Sequence, residues 1–396
     1  MEKALDYSAK ILIALLIITI PLLPKWGNYA LALLGIVGLA IYARNRTWNR
    51  PPAIFFFLIG AYLVRVVWLF RSNDLNYGLR SLETEAPLAA IPLVFCFFSL
   101  SEETRKQFLK MYVWTAFILM LLAFVNLTRY IIQSPFGFFE YLTIHLSNKK
   151  QMSEANMLNW RFAHPSFLSM FILYAQCIFF FLRPKNTSDK IFLSLFTLSA
   201  LMFTLLSGSR AGFFLTFFSF LLFAIIEFKS FLRKKIPFFV LAGTIAIGCF
   251  FFAKRISDSG FDSFDSLRAS TFVKTMQALQ QKPVLGYGTG GEREIIRDEH
   301  LESIGYTIYH PHNQYLTELL QFGLIGSLPL FLFLALTIHY SIKYQLWDLC
   351  CIVIIFAVFM LVEAPINSNK GLVPFMIAIL LTGSNGAGRK RYIVTD

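Results

Sequence analysis

Two histidines stand two residues apart in the segment Tyr309-His310-Pro311-His312-Asn313. A neutral imidazole near pH 7 is a fitting general base. Asn313 can cap the segment 314–322, whose Leu316, Leu319, Leu320 and Phe322 recur at helical spacing. Gly323 is expected to stop that helix just before an apolar run beginning at Leu324. His312 would then sit at a helix start, close to a membrane surface. Upstream, Gly286, Gly288, Gly290 and Gly291 form what reads as a flexible turn in KPVLGYGTGG. No strand precedes it in a βαβ unit, so a dinucleotide-binding reading fails.

Arg210 lies in LLSGSRAGFFL, between two apolar runs. The small residues Ser207, Gly208, Ser209, Ala211 and Gly212 let the backbone approach a ligand closely. A guanidinium there suits a phosphate, because its planar fork stays charged and bonds two oxygens at once. The plainer alternative is an interfacial Arg that snorkels. Residues 253–300 add Lys254, Arg255, Arg268, Lys274, Lys282, Arg293 and Arg297, a surface that attracts an anionic ligand.

Other residues carry weaker signals. Arg161 and His164 open an apolar run after a long polar stretch and are candidates for a substrate pocket. Arg71, Arg80, Glu83 and Glu85 flank another outer segment and could line the same cavity. Arg65 falls mid-run in PAIFFFLIGAYLVRVVWLF. Facing lipid there would cost about 3 kcal/mol or more, so it should point inward to a polar partner. Asp258, Asp262 and Asp265 share a helical face and read as a solvated one. His145, His300 and His339 have no evident partner. The five cysteines all fall inside apolar runs, and no spacing suggests a metal site. No GxSxG, HExxH, P-loop or CxxC motif occurs.

The elements that must position these residues follow from composition. Of 396 residues 56% are hydrophobic, 44 are Phe and only 15% are charged, against about 25% in soluble domains. Mean hydropathy is +0.60. Soluble, disordered and fibrous classes are excluded, leaving an all-α polytopic membrane protein. About twelve spans are expected: 9–23, 28–43, 52–70, 86–100, 111–128, 166–182, 191–206, 211–227, 236–252, 324–339, 347–362 and 371–385. The first is expected to stay as a span, since Pro21, Pro24 and Lys25 follow it without a small-residue cleavage site.

With both termini in the cytoplasm, the inside segments hold clusters such as Arg44, Arg46 and Arg50, Arg105, Lys106 and Lys110, and Arg389, Lys390 and Arg391. The short outside loops then hold Lys25, Arg71, Arg80, Arg210 and Lys370. The positive-inside rule selects this orientation. Residues 1–396 then form a single integral membrane domain. Its long outward loops are 129–165 and 253–323, the latter between helices 9 and 10. The net charge of +13 partly reflects this topology and gives no sign of nucleic-acid binding.

His312-Asn313, nine residues, then Gly323-Leu324-Ile325-Gly326 resembles the H-[N/S/Q]-x9-G-x-x-[G/T/Y] signature of bacterial O-antigen ligases (WaaL). KPVLGYGTGG and SGSRAG resemble motifs of the wider O-antigen ligase and polymerase superfamily. The resemblance implies a GT-C-type, metal-independent, inverting glycosyltransferase without cofactor. It would move O-antigen polysaccharide from undecaprenyl diphosphate to lipid A–core oligosaccharide at the periplasmic face of a Gram-negative inner membrane, the last step of lipopolysaccharide assembly. His312 would be the base and Arg210 the cation facing the diphosphate. Arg80, Arg161, His164, His310, Asn313, Gly286, Gly288 and Arg293 would contact substrates. Two readings stay beside it: an O-antigen polymerase or protein O-oligosaccharyltransferase of the same superfamily, and, more distantly, a transporter of lipid-linked sugars.

Overall fold

The structure is a computed structural model that describes residues 2–22, 24–45, 53–98, 100–133, 165–182, 186–206, 210–226, 264–297 and 311–383. Among the described residues every regular element is helical. The chain divides into two compact units, one of residues 1–111 and 275–396 and the other of residues 112–274.

The first unit starts with α1 (Glu2–Leu22) and α2 (Pro24–Asn45), which pack side by side. A short 3-10 turn at Ala53–Phe55 leads into α3 (Phe56–Trp68), and a second at Leu69–Arg71 ends it. α4 (Leu75–Glu85) follows, its first turn closed by the Asp74 carboxylate accepting from the Tyr77 amide at 3.0 Å. This helix falls between the expected spans 52–70 and 86–100, in the outer segment flanked by Arg71, Arg80, Glu83 and Glu85. Asp74 as N-cap and the helical spacing of Gly78, Leu82 and Glu85, all buried, explain why it forms. α5 (Pro87–Phe95) starts with proline at its first turn, where no amide is needed.

α6 (Glu102–Gln133) runs through both units. Ser101 caps it through the Thr104 amide, and Glu102 and Glu103 sit at the positive end of its dipole. The buried Arg105 guanidinium donates to the Leu381 carbonyl at 3.0 Å, a cation at the C-terminal end of a later helix.

In the second unit α6 packs with α7 (Pro165–Phe181), α8 (Thr187–Leu206) and α9 (Arg210–Ile226) through aromatic contacts. Trp114 stacks on Phe192 at 4.4 Å and Phe180 on Phe223 at 4.4 Å. Thr216 of α9 donates to Thr204 of α8 at 3.4 Å. α10 (Phe264–Gln281) straddles the division and is followed by the short α11 (Glu292–Ile296).

α12 (Gln314–Lys343), α13 (Trp347–Phe359) and α14 (Asn369–Gly383) complete the first unit, where α12 packs on α3 and α13, and α14 on α5 and α13. Among the described residues, four helical stretches are long and apolar enough to cross a membrane: Trp26–Asn45, Ala53–Arg71, Glu102–Asn126 and Gln314–Lys343. Shorter apolar helices add to them, and the chain is a polytopic membrane protein whose described elements are all helical. The expected span 236–252 lies outside the described residues.

α3 shows how the elements divide between lipid and core. Leu63 and Val67 are 57% and 58% exposed, whereas Arg65 between them is 0% exposed. An apolar face open to that degree suits hydrocarbon rather than water.

Candidate active site

His312 and Asn313 are the two residues before α12. Asn313 is extended, at φ −151° and ψ 114°, and its side-chain oxygen accepts from the Leu316 amide at 3.1 Å. This is the N-cap the sequence predicts. Its side-chain nitrogen donates to the Leu361 carbonyl at 3.1 Å, which ties the cap to the segment after α13. His312 has φ 50°, a left-handed conformation uncommon outside glycine. That backbone turn presents the ring to Glu363 of the same segment. His312 Nδ1 and Glu363 Oε2 are 3.4 Å apart, with the His side chain 35% exposed and the Glu side chain 11%. A carboxylate only accepts, so the pairing holds a proton on Nδ1 and leaves Nε2 with its basic lone pair. A half-exposed imidazole backed by a carboxylate is an arrangement for taking a proton from a hydroxyl.

Behind this pair lies a buried charged cluster. Arg65 Nε donates to Glu85 and Nη2 to Glu318, and all three residues are 1% exposed or less. Phe322 covers the guanidinium at 4.8 Å. Ser81 donates to the other oxygen of Glu85 at 2.9 Å. The inward Arg65 that the sequence requires is therefore an ion pair joining α3, α4 and α12. Glu85, expected to line an open cavity, is instead sealed in this cluster, because Arg65 needs a buried counter-charge.

The glycine segment is not the flexible turn its composition suggests. Tyr287 and Gly288 amides donate to the Leu320 and Gln321 carbonyls at 2.9 and 2.8 Å. Leu324 and Ile325 amides donate back to the Pro283 and Val284 carbonyls at 3.0 and 3.2 Å. Two stretches of main chain are thus braided across the break in α12 at Gly323. Gly323 and Gly286 both have positive φ, and a Cβ on either would strike the facing backbone. Thr289 locks the far end, donating to the Arg65 carbonyl at 2.6 Å, and Trp68 donates to the Leu285 carbonyl at 2.7 Å.

Glu292, which opens α11, is 0% exposed. Among the described residues, neither of its carboxylate oxygens finds a hydrogen-bond partner beyond its own main chain. Burial pushes this acid up to about 8, and the negative charges of Glu85 and Glu318 add to the rise.

The residues singled out in the sequence fall as follows. Gly286 and Gly288 are buried in the braid, and Asn313 uses both ends of its amide within the protein. Arg80 is exposed on α4. Arg293 is half-buried, with its guanidinium 4.8 Å from the centre of the Tyr77 ring. Arg210 begins α9, and nothing is described of its side chain. His310, Arg161 and His164 lie outside the described residues. Of the aspartates, Asp258 and Asp262 also do, and Asp265 lies on α10. Within the expected 253–323 loop, the described part is largely helical, through α10, α11 and the start of α12.

Sequence reasoning missed Glu363, Glu318, Glu292 and Gln314. Glu363 did leave a signal, as the only acid between Asp348 and Asp396. Glu318 and Gln314 are polar positions of the short helix before Gly323, and nothing in their spacing marks them as buried.

Residues 194–331 match the family model described as O-antigen ligase. This stretch takes in the glycine braid, His312, Asn313 and Gly323. Over that stretch the chain is similar to the O-antigen ligase family. An uncharacterized protein of Haemophilus influenzae (strain ATCC 51907 / DSM 11121 / KW20 / Rd) is 23% identical over 372 residues, covering 86% of each chain.

Proposed function

We propose that the chain is an O-antigen ligase of the GT-C type. It transfers O-antigen polysaccharide from undecaprenyl diphosphate to a sugar hydroxyl of lipid A–core oligosaccharide. The reaction lies at the periplasmic face of the inner membrane of a Gram-negative bacterium, and both termini are cytoplasmic. What supports this reading most is the pairing of His312, which precedes α12 within the segment matched to the O-antigen ligase family, with Glu363 from the segment after α13.

In the reaction His312 Nε2 takes the proton of the acceptor hydroxyl as its oxygen attacks the anomeric carbon. Glu363 steadies the imidazolium that results. The bond from that carbon to the diphosphate oxygen breaks, and undecaprenyl diphosphate leaves with the electron pair. Attack opposite the leaving group inverts the anomeric configuration. The diphosphate is already a good leaving group, so the reading calls for no metal or nucleotide. Arg210 is proposed as a cation for the donor's diphosphate from its residue type and its small-residue setting. Arg80, Arg161, His164, His310 and Arg293 are proposed to contact the sugars and phosphates of the two substrates. Holding both substrates in line contributes roughly 7–11 kcal/mol at most.

The test is transfer by the purified full chain in detergent with EDTA, given undecaprenyl-diphosphate-linked O-antigen and lipid A–core. A ladder of capped lipid A–core that disappears in His312→Ala is expected. Elongation of the donor polysaccharide with lipid A–core unmodified would overturn the ligase reading in favour of a polymerase. No transfer by folded protein would overturn both.

A further inference from the structure

Glu363 lies between α13 and α14, just before a 3-10 turn at Pro365–Asn367, and something must hold it against His312. The residue best placed to do so is Gln314, which is 0% exposed. Its amide N–H is shared between the Met360 and Glu363 carbonyls at 2.8 and 3.2 Å. Its side-chain oxygen accepts from the Ile366 amide at 3.0 Å. Its side-chain nitrogen donates to Asn367 Oδ1 at 3.1 Å and to Glu318 Oε1 at 2.9 Å. Glu318 is in turn held by Arg65. One buried amide thus grips the Glu363 segment on both sides of the carboxylate, and its other hand rests on the charged cluster of α3 and α4.

We propose that Gln314 is a positioning residue: by clamping residues 360–367 to the start of α12, it keeps the Glu363 carboxylate on His312 Nδ1 and so fixes which ring nitrogen is the base. The inference rests on the His312 reading above. Two features of Gln314 set it apart from an ordinary buried amide. It is two residues from His312, so its main chain and the ring move together. It also uses both donors and an acceptor of its side chain, so no isosteric apolar residue reproduces its contacts.

The test uses the full chain in detergent with 15N-labelled histidine. The His312 ring signals are assigned by their loss in His312→Gln. The wild-type ring is expected as the Nδ1–H tautomer. Gln314→Leu is expected to shift the ring toward the mixed tautomers that Glu363→Gln also gives, with folding verified by gel filtration and by an unchanged helical spectrum. In the transfer assay kcat is expected to fall by up to about 100-fold, from misorientation of the base, with KM within about two-fold. Should Gln314→Leu fail to fold, Gln314→Glu is read the same way, since it keeps the acceptor for Ile366 and loses the paired donors. A wild-type tautomer in either folded variant overturns the proposal, as does an Nε2–H tautomer in the wild type. The tautomer signals do not depend on turnover. The expected pattern without any transfer activity would therefore sink the ligase reading and leave the clamp standing.

Discussion

Removing the imidazole of His312 should cost far more than removing its partner. His312→Ala is expected to lower transfer by roughly 100-fold or more, the usual range for a general base. Glu363→Gln keeps the shape of the side chain and offers Nδ1 no charged acceptor, so a smaller loss is expected in the same assay. Glu292 predicts a different behaviour, on stability. Its carboxyl is held up to about 8 in the fold, whereas an unfolded Glu ionises near 4.3. Between those values the native state carries a proton that the unfolded state has lost. Stability therefore falls as pH rises through this window. Glu292→Gln should leave the thermal midpoint at pH 5 near that of the wild type. It should raise the midpoint at pH 8.5 and flatten the slope between them. An unchanged slope would show that the carboxyl is not buried as described.

At the scale of elements, the structure turns on how α3, α4, α12 and the glycine segment are joined. Arg65→Met leaves Glu85 and Glu318 buried without their counter-charge. The expected loss is about 3–5 kcal/mol, read by denaturation in detergent. Converting both carboxylates to amides in the same chain should recover part of it. Gly323→Ala places a Cβ against the Val284 backbone at φ 63° and should destabilise by about 1–3 kcal/mol or more. Gly60→Ala is the contrast. Among the described residues its Cβ would meet only Pro329, at 3.9 Å, so neutral or slightly raised stability is expected. The sequence makes part of this legible. An Arg in the middle of an apolar run must face inward, and an Asn before apolar residues at helical spacing must cap a helix. It does not reveal partners of Arg65 that are 20 and 253 residues away. Nor does it distinguish a mobile glycine turn from a braided one. In both cases glycine supplies the positive φ, and only the facing strand of backbone decides which it is.

For the whole molecule, hydropathy alone indicates a membrane-embedded helical chain, because lipid offers no partner for backbone groups. The exposed apolar face of α3 beside its buried Arg65 agrees with that reading. Segment 236–252 and the stretches bearing His310, Arg161 and His164 lie outside the described residues. Orientation is open to a direct test. With the native cysteines replaced, Arg297→Cys is expected to react with an impermeant maleimide added outside spheroplasts, and Lys106→Cys only after the membrane is permeabilised. Both positions are exposed. The opposite pattern would overturn the orientation that the positive-inside rule selects.

The braid of Pro283–Gly288 against Leu320–Ile325 has a consequence for local opening. The Tyr287 and Gly288 amides belong to no helix, yet they are held by main-chain carbonyls of α12. Solvent hydrogen reaches such amides only when the α12 break itself separates from the loop. In hydrogen–deuterium exchange these two positions should therefore be as slow as the neighbouring helical turns, and should speed up together in Gly323→Ala. The stretch of sequence that looks most pliant would then report, by its protection, how firmly the start of α12 is anchored.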